Sequence, residues 1–221
     1  PVLAPNSCQE MCDLTMLAFD IADRYRTPAV VLADGLVGQM KEPVYLPDPV
    51  TELPDSSGWA VQGNADTREN LVCSIYLSAD ELEGHIAHLE EKYKAMEARE
   101  TRWEEYKVED ADIILTGYGI VSRILKGVVD MGRKQGLKLG LLRPITLFPF
   151  PDEALRAVVR GKQACMAVEL STGQYVEDVR LAVSDLAPVW FYGRAGGNLP
   201  SVEEIVEEVV AKSGQLEEVQ S

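Results

Sequence analysis

The chain has 221 residues, 46% of them apolar, with 21 basic and 36 acidic side chains and a net charge of −15. That length suits one or two domains, and no apolar run reaches the length of a membrane-spanning helix. The charge argues against a nucleic-acid partner, because phosphate binding needs a basic surface; it reads either as plain solubility or as a preference for a basic ligand or partner.

Ser7 and Glu10 have the spacing of a reciprocal helix cap. Met11, Leu14, Ala18, Ile21 and Tyr25 then recur at three- and four-residue intervals, predicting an amphipathic helix that Pro28 ends by pushing Thr27 out of helical space. Ala29 to Ala33 reads as a buried strand closing on Asp34-Gly35, where an open α/β sheet would gather its ligands; a helix cap and turn is the plainer reading. A fully apolar strand needs strand neighbours on both sides. Only seven residues precede the helix, and the chain opens at Pro1, not Met. Residues 1–46 therefore read as the end of an α/β domain whose front half is missing, so the chain reads as a fragment. The unpartnered apolar face is expected to favour a homodimer.

Residues 47–78 read as a linker. Pro43, Pro47, Pro49 and Pro54 break any regular element in and just before it, and a connection this long suits a segment wrapped over a surface, such as that of a partner subunit. A second helix is expected over 79–102. Its stripe of Leu82, Ile86, Leu89, Tyr93 and Met96 is narrow and nearly heptad-like, which fits either packing on its own domain or docking to another chain.

From 103 to 213 strands and helices alternate. Strands are expected at 111–115, 137–142, 164–169 and 188–192, helices at 120–135, 152–160, 173–186 and 201–212, and an edge strand at 103–108. This order predicts a three-layer α/β/α domain over 79–213 with a mostly parallel sheet, followed by a tail at 214–221. The strand ends carry the candidate contacts to an anion or cofactor. Gly117 and Gly119, in Thr116-Gly117-Tyr118-Gly119, would let backbone N–H groups approach an anion at a helix start, although Ser122 stands where a dinucleotide fingerprint wants glycine. Arg143 is a forked donor suited to carboxylates and phosphates; the alternative is an arginine satisfied by backbone carbonyls or by an acidic neighbour such as Glu169. Arg194, Gly196 and Gly197 combine a fixed charge with a pliant loop, and the alternative there is a flexible turn. Ser171 has Gly173 but no glycine two residues before it, so a nucleophile elbow is excluded. Cys8, Cys12, Cys73 and Cys165 lack iron–sulfur or zinc spacing, and His85 and His88 have no cysteine near, so no metal site is expected. Free cysteines suit a reducing cytoplasm.

Four stretches carry a resemblance: PNSCQEMCDLTMLAFDIADRYRTPAVVLADGLVGQMKEPV from Pro5 to Val44, TGYG from Thr116, RPITLFPFP from Arg143 and YGRAGG from Tyr192. In this order they resemble the alpha subunit of 2-oxoacid:ferredoxin oxidoreductases of the 2-oxoisovalerate or 2-oxoglutarate type, over nearly the whole chain. The resemblance implies a remnant of a thiamine-diphosphate pyrimidine-type domain, followed by a transketolase C-terminal-like domain with one antiparallel edge strand. It implies an intact enzyme that converts a 2-oxoacid and coenzyme A to acyl-CoA and carbon dioxide and reduces ferredoxin. Thiamine diphosphate and iron–sulfur clusters would then sit elsewhere in a complex with other subunits, and no cofactor is expected in this chain. The family's cofactor-activating glutamate and its Tyr-Pro-Ile-Thr-Pro stretch match no segment here, so no catalytic residue is transferred. The alternative is a stand-alone α/β module that binds an anionic small molecule or nucleotide at its Gly-rich strand ends.

Overall fold

The computed structural model describes residues 1–49 and 55–220, with side chains to residue 215. The expected linker thus falls partly, with Pro54, outside the described residues. No helix of the described residues is long and apolar enough to cross a membrane.

The centre is a five-stranded sheet made of β3 (Trp103–Tyr106), β4 (Ile113–Thr116), β5 (Leu139–Pro144), β7 (Ala164–Glu169) and β8 (Val189–Gly193), in the order β3-β5-β4-β7-β8. Strands β4, β5, β7 and β8 are parallel, and β3 lies antiparallel on β5, with Trp103 opposite Pro144. That is the antiparallel edge implied by the resemblance. Alternation along each inner strand divides the core in two. Ile113, Leu115, Leu139, Leu141, Met166 and Val168 face α3 (Gly119–Lys134) and α6 (Val202–Gln220). Ile114, Leu142, Cys165 and Ala167 face α4 (Asp152–Val159) and α5 (Tyr175–Val183). Both faces are covered, which is why these strands read as continuous apolar runs. The result is the expected three-layer α/β/α fold. Helix α6 runs past the expected end at 212.

The amino-terminal unit differs from expectation in one respect. The seven residues ahead of α1 (Cys8–Tyr25) include a strand, β1 (Val2–Leu3), which pairs in parallel with β2 (Val30–Val31) and antiparallel with β6 (Thr146–Phe148). The order is β2-β1-β6, so among the described residues β2 has one strand neighbour and not two. The sequence hid β1 because two apolar residues between prolines show no period. It hid β6 because Pro144, Pro149 and Pro151 bracket a three-residue strand. Leu3, Leu14, Ala18, Ile21 and Tyr25 form a small core here, closed by Met96 from α2 (Ala79–Glu100). Of the stripe on α2 only Met96 is buried; Leu82, Ile86 and Tyr93 remain exposed.

Candidate functional site

In the chain β4 leads to β5 on one side, and the path then returns to β7 on the other. The carboxyl ends of β4 and β7 therefore part at a topological switch point, where open α/β sheets hold their ligands. A crevice of about 170 Å³ opens there, lined by Tyr118 and Val121 after β4, Glu169 and Leu170 at the end of β7, and Leu32, Ala33 and Asp34 from the amino-terminal unit. Asp34 and Leu170 also line an adjoining hollow of about 320 Å³ that reaches Arg194 and Gly197.

Gly117 and Gly119 form the tight turn between β4 and α3 beside the crevice. A Cβ on Gly117 would stand 2.7 Å from the Val168 carbonyl, so only glycine lets this turn lie against β7. Gly119 has φ +58, and its Cβ would meet Asp34 Oδ2 at 2.5 Å. The start of α3 does hold an anion, but it is the chain's own. Ile120 N–H donates to Asp34 Oδ2 at 2.7 Å, while Asp34 Oδ1 accepts from Leu36 N–H and Val37 N–H. Glu169 does the same for α5. It accepts from the backbone N–H groups of Gln174, Tyr175 and Val176 and from the Ser171 hydroxyl. The helix is thus capped by the carboxylate at the end of β7, and Ser171 is a donor to it.

Arg143 is buried. Its guanidinium donates to both oxygens of Glu10, to Glu104 and to the Ala4 carbonyl. The acidic partner is Glu10 and not Glu169. Ser7 accepts from Glu10 N–H as the cap pattern predicts, whereas the Glu10 carboxylate turns to Asn6 N–H and Arg143 and does not close the reciprocal cap on Ser7. Burial raises the Glu10 carboxyl, but the Arg143 contact outweighs it and holds the group below its ordinary value. Arg194 is only loosely engaged, 3.4 Å from Glu204, while Gly196 and Gly197, at φ +69 and +85, face open space. The structure therefore brings Gly197 and Arg194 to the adjoining hollow, sets Gly119 against Asp34, and places Arg143 in an internal ion pair.

Two residues escaped the sequence reading. Tyr118 lines the crevice, and burial, Glu169 and Asp34 together push its phenol upward, so it is a protonated donor. Glu100, buried at the end of α2, accepts from Arg24, Arg102 and Tyr25 and ties α1 to α2 and to the start of β3. Nothing marks it in a helix with six other glutamates and aspartates. Tyr118 was legible only as part of its glycine turn.

Two family models match. Residues 1–108 match a thiamine-diphosphate-binding domain of pyruvate flavodoxin/ferredoxin oxidoreductases, and residues 111–205 match core domain II of pyruvate:ferredoxin oxidoreductase. The chain is 50% identical over 214 residues to ketoisovalerate oxidoreductase subunit VorB of Methanothermobacter marburgensis, covering 97% of this chain and 60% of that protein. The chain belongs to the 2-oxoacid:ferredoxin oxidoreductase family. It is also 28% identical over 248 residues to 2-oxoglutarate synthase subunit KorA of the same organism, covering 94% of this chain and 62% of that one. These relatives place it with the alpha-type subunits, and the chain spans about three-fifths of their length. The fold is shared with a 2-oxoglutarate:ferredoxin oxidoreductase from Magnetococcus marinus, solved with 2-oxoglutarate, coenzyme A and succinyl-CoA bound, at TM-score 0.74 and 18% identity, over 95% of this chain and 41% of that one.

Residues 1–108 do not fit thiamine diphosphate by themselves. Its aminopyrimidine needs a carboxylate free to share a proton, and its diphosphate needs a metal ion held by oxygen ligands. The carboxylates of Glu10, Asp34 and Glu100 are each taken up by Arg143, backbone N–H groups, or Arg24 with Arg102. Among the described residues no three His, Cys, Asp or Glu side chains cluster as a metal site would need.

Proposed function

We propose that this chain is part of the alpha subunit of a 2-oxoisovalerate-type oxidoreductase, which joins a branched 2-oxoacid to coenzyme A, releases carbon dioxide and passes the electrons to ferredoxin. The observation that carries this reading is the 50% identity to a ketoisovalerate oxidoreductase subunit across 97% of the chain. The part played by these residues is structural. They form an α/β domain and an edge onto which the rest of the enzyme assembles, while thiamine diphosphate, the iron–sulfur clusters and coenzyme A are handled by other regions and subunits in the cytoplasm.

Two surfaces support an assembly role. Strand β2 has a free edge. Residues 71–77 are not in a helix or strand and present Leu71, Val72, Ile75 and Leu77 outward, Leu77 at 96% exposure. On the exposed side of α2, Leu82 and Ile86 are likewise open to solvent, and exposed apolar side chains of this kind mark interaction surfaces. The test is assembly and turnover of the complete complex with 2-oxoisovalerate, coenzyme A and ferredoxin. Replacing Ile75 and Leu77 by Ser is expected to abolish co-purification of the partner subunits and with it activity. Full assembly of that variant, or a complex turning over only 2-oxoglutarate, contradicts the reading.

One observation favours a second reading. Arg194, beside the open Gly196-Gly197 loop, keeps only a long 3.4 Å contact to Glu204 and lines the adjoining hollow. A stand-alone binding module would take coenzyme A or a nucleotide there, with an affinity that Arg194→Ala removes.

A further inference from the structure

A large hollow lies away from the crevice. It is a groove of about 880 Å³ between the end of α2, the segment that leads into α4, and the middle and end of α5. Its apolar walls face solvent: Leu181 is 84% exposed, Trp103 43% and Phe148 41%. Its charged groups are Glu97, Asp152, Glu153 and Asp178 against one cation, Lys94. None of these five takes part in an ion pair among the described residues. Asp152 accepts from the Glu153 backbone N–H, whereas in the crevice Asp34 and Glu169 each accept from three backbone N–H groups.

We propose that this groove docks a cationic, apolar-faced segment of a different protein. Arg or Lys side chains would meet the four carboxylates, and Arg would stack on the half-exposed ring of Trp103. Aliphatic side chains would cover Leu181. Arg and aromatic residues at the centre of a polar rim are the composition that protein interfaces favour. The carboxyl of Asp178 is raised, first by its burial and then by the charges of Glu169 and Glu177. A second copy of this chain is a poor occupant, since two molecules of charge −15 repel. Phosphate-bearing surfaces repel the groove for the same reason.

The probe is a fluorescein-labelled amphipathic peptide of Leu and Arg, about four helical turns long, titrated into the full chain. A peptide with Glu in place of Arg serves as its counterpart. The Arg peptide is expected to bind, and its amide-shift footprint should fall on Thr101 to Trp103, Phe148 to Ala154 and Asp178 to Ala182. Glu153→Lys and Asp178→Lys are each expected to weaken it about tenfold, roughly one part in ten of the binding constant per 1.4 kcal/mol. Glu203→Lys and Glu207→Lys on α6 make the same charge change outside the groove and should leave binding nearly unaltered. Equal loss with the α6 variants means attraction by net charge alone and overturns the proposal. So does a footprint elsewhere, or no binding. A dimer of the unmodified chain that Leu181→Arg dissolves assigns the groove to a second copy and overturns it as well. Unchanged melting temperatures of the variants separate lost docking from lost folding.

Discussion

Single residues fix how the two packed units of this chain meet. Asp34 joins them by capping α3 from a loop 86 positions away. Gly119→Ala sets a Cβ against Asp34 at a backbone angle that L residues disfavour, and is expected to lower unfolding free energy by about 2 kcal/mol in urea titrations. Arg143→Met leaves Glu10 without its cation and is expected to cost about 3 kcal/mol, with Lys a poor replacement because the contact is forked. Glu100 gives a pH signature. Burial raises its carboxyl, but hydrogen bonds from Arg102, Arg24 and Tyr25 outweigh this, and the net shift is downward from 4.5. A carboxyl depressed by folding contributes stability above its ordinary value and loses it as pH falls through the folded value. Glu100→Gln should therefore be less stable than the unmodified chain at neutral pH, and the gap should close on acidification below 4.5. A gap independent of pH would show that the charge of Glu100 contributes nothing.

Among the elements, regular ones were legible and short ones were not. The period-two division of Ile113, Ile114 and Leu115 between two cores follows from a strand with helices on both faces, and the alternation of strand and helix dictates the parallel sheet. Strands β1 and β6 have two and three residues; their pairing comes from tertiary contact, which no local pattern records. Glycine turns at the strand ends were visible as places where backbone approaches closely. The sequence could not show that carboxylates of the chain fill them, because Asp34 and Glu169 come from other elements than the helices they cap. Edge position also sets dynamics. Hydrogen exchange at Val30 to Leu32 is expected to run orders of magnitude faster than at 113–116 or 164–169, since local openings need far less free energy than global unfolding. Equal protection would mean that β2 has acquired a second strand neighbour in solution.

For the whole molecule, the crevice at the switch point has the location of a ligand site but little free chemistry. Its two carboxylates are held by backbone N–H groups, its serine donates to one of them, and its tyrosine is protonated. The most direct measurement is isothermal titration of the purified chain with coenzyme A and, separately, with thiamine diphosphate and magnesium. The account predicts no saturable heat with either. A stoichiometric, saturable signal at micromolar ligand, removed by Arg194→Ala, would contradict it and make the chain a binding module in its own right.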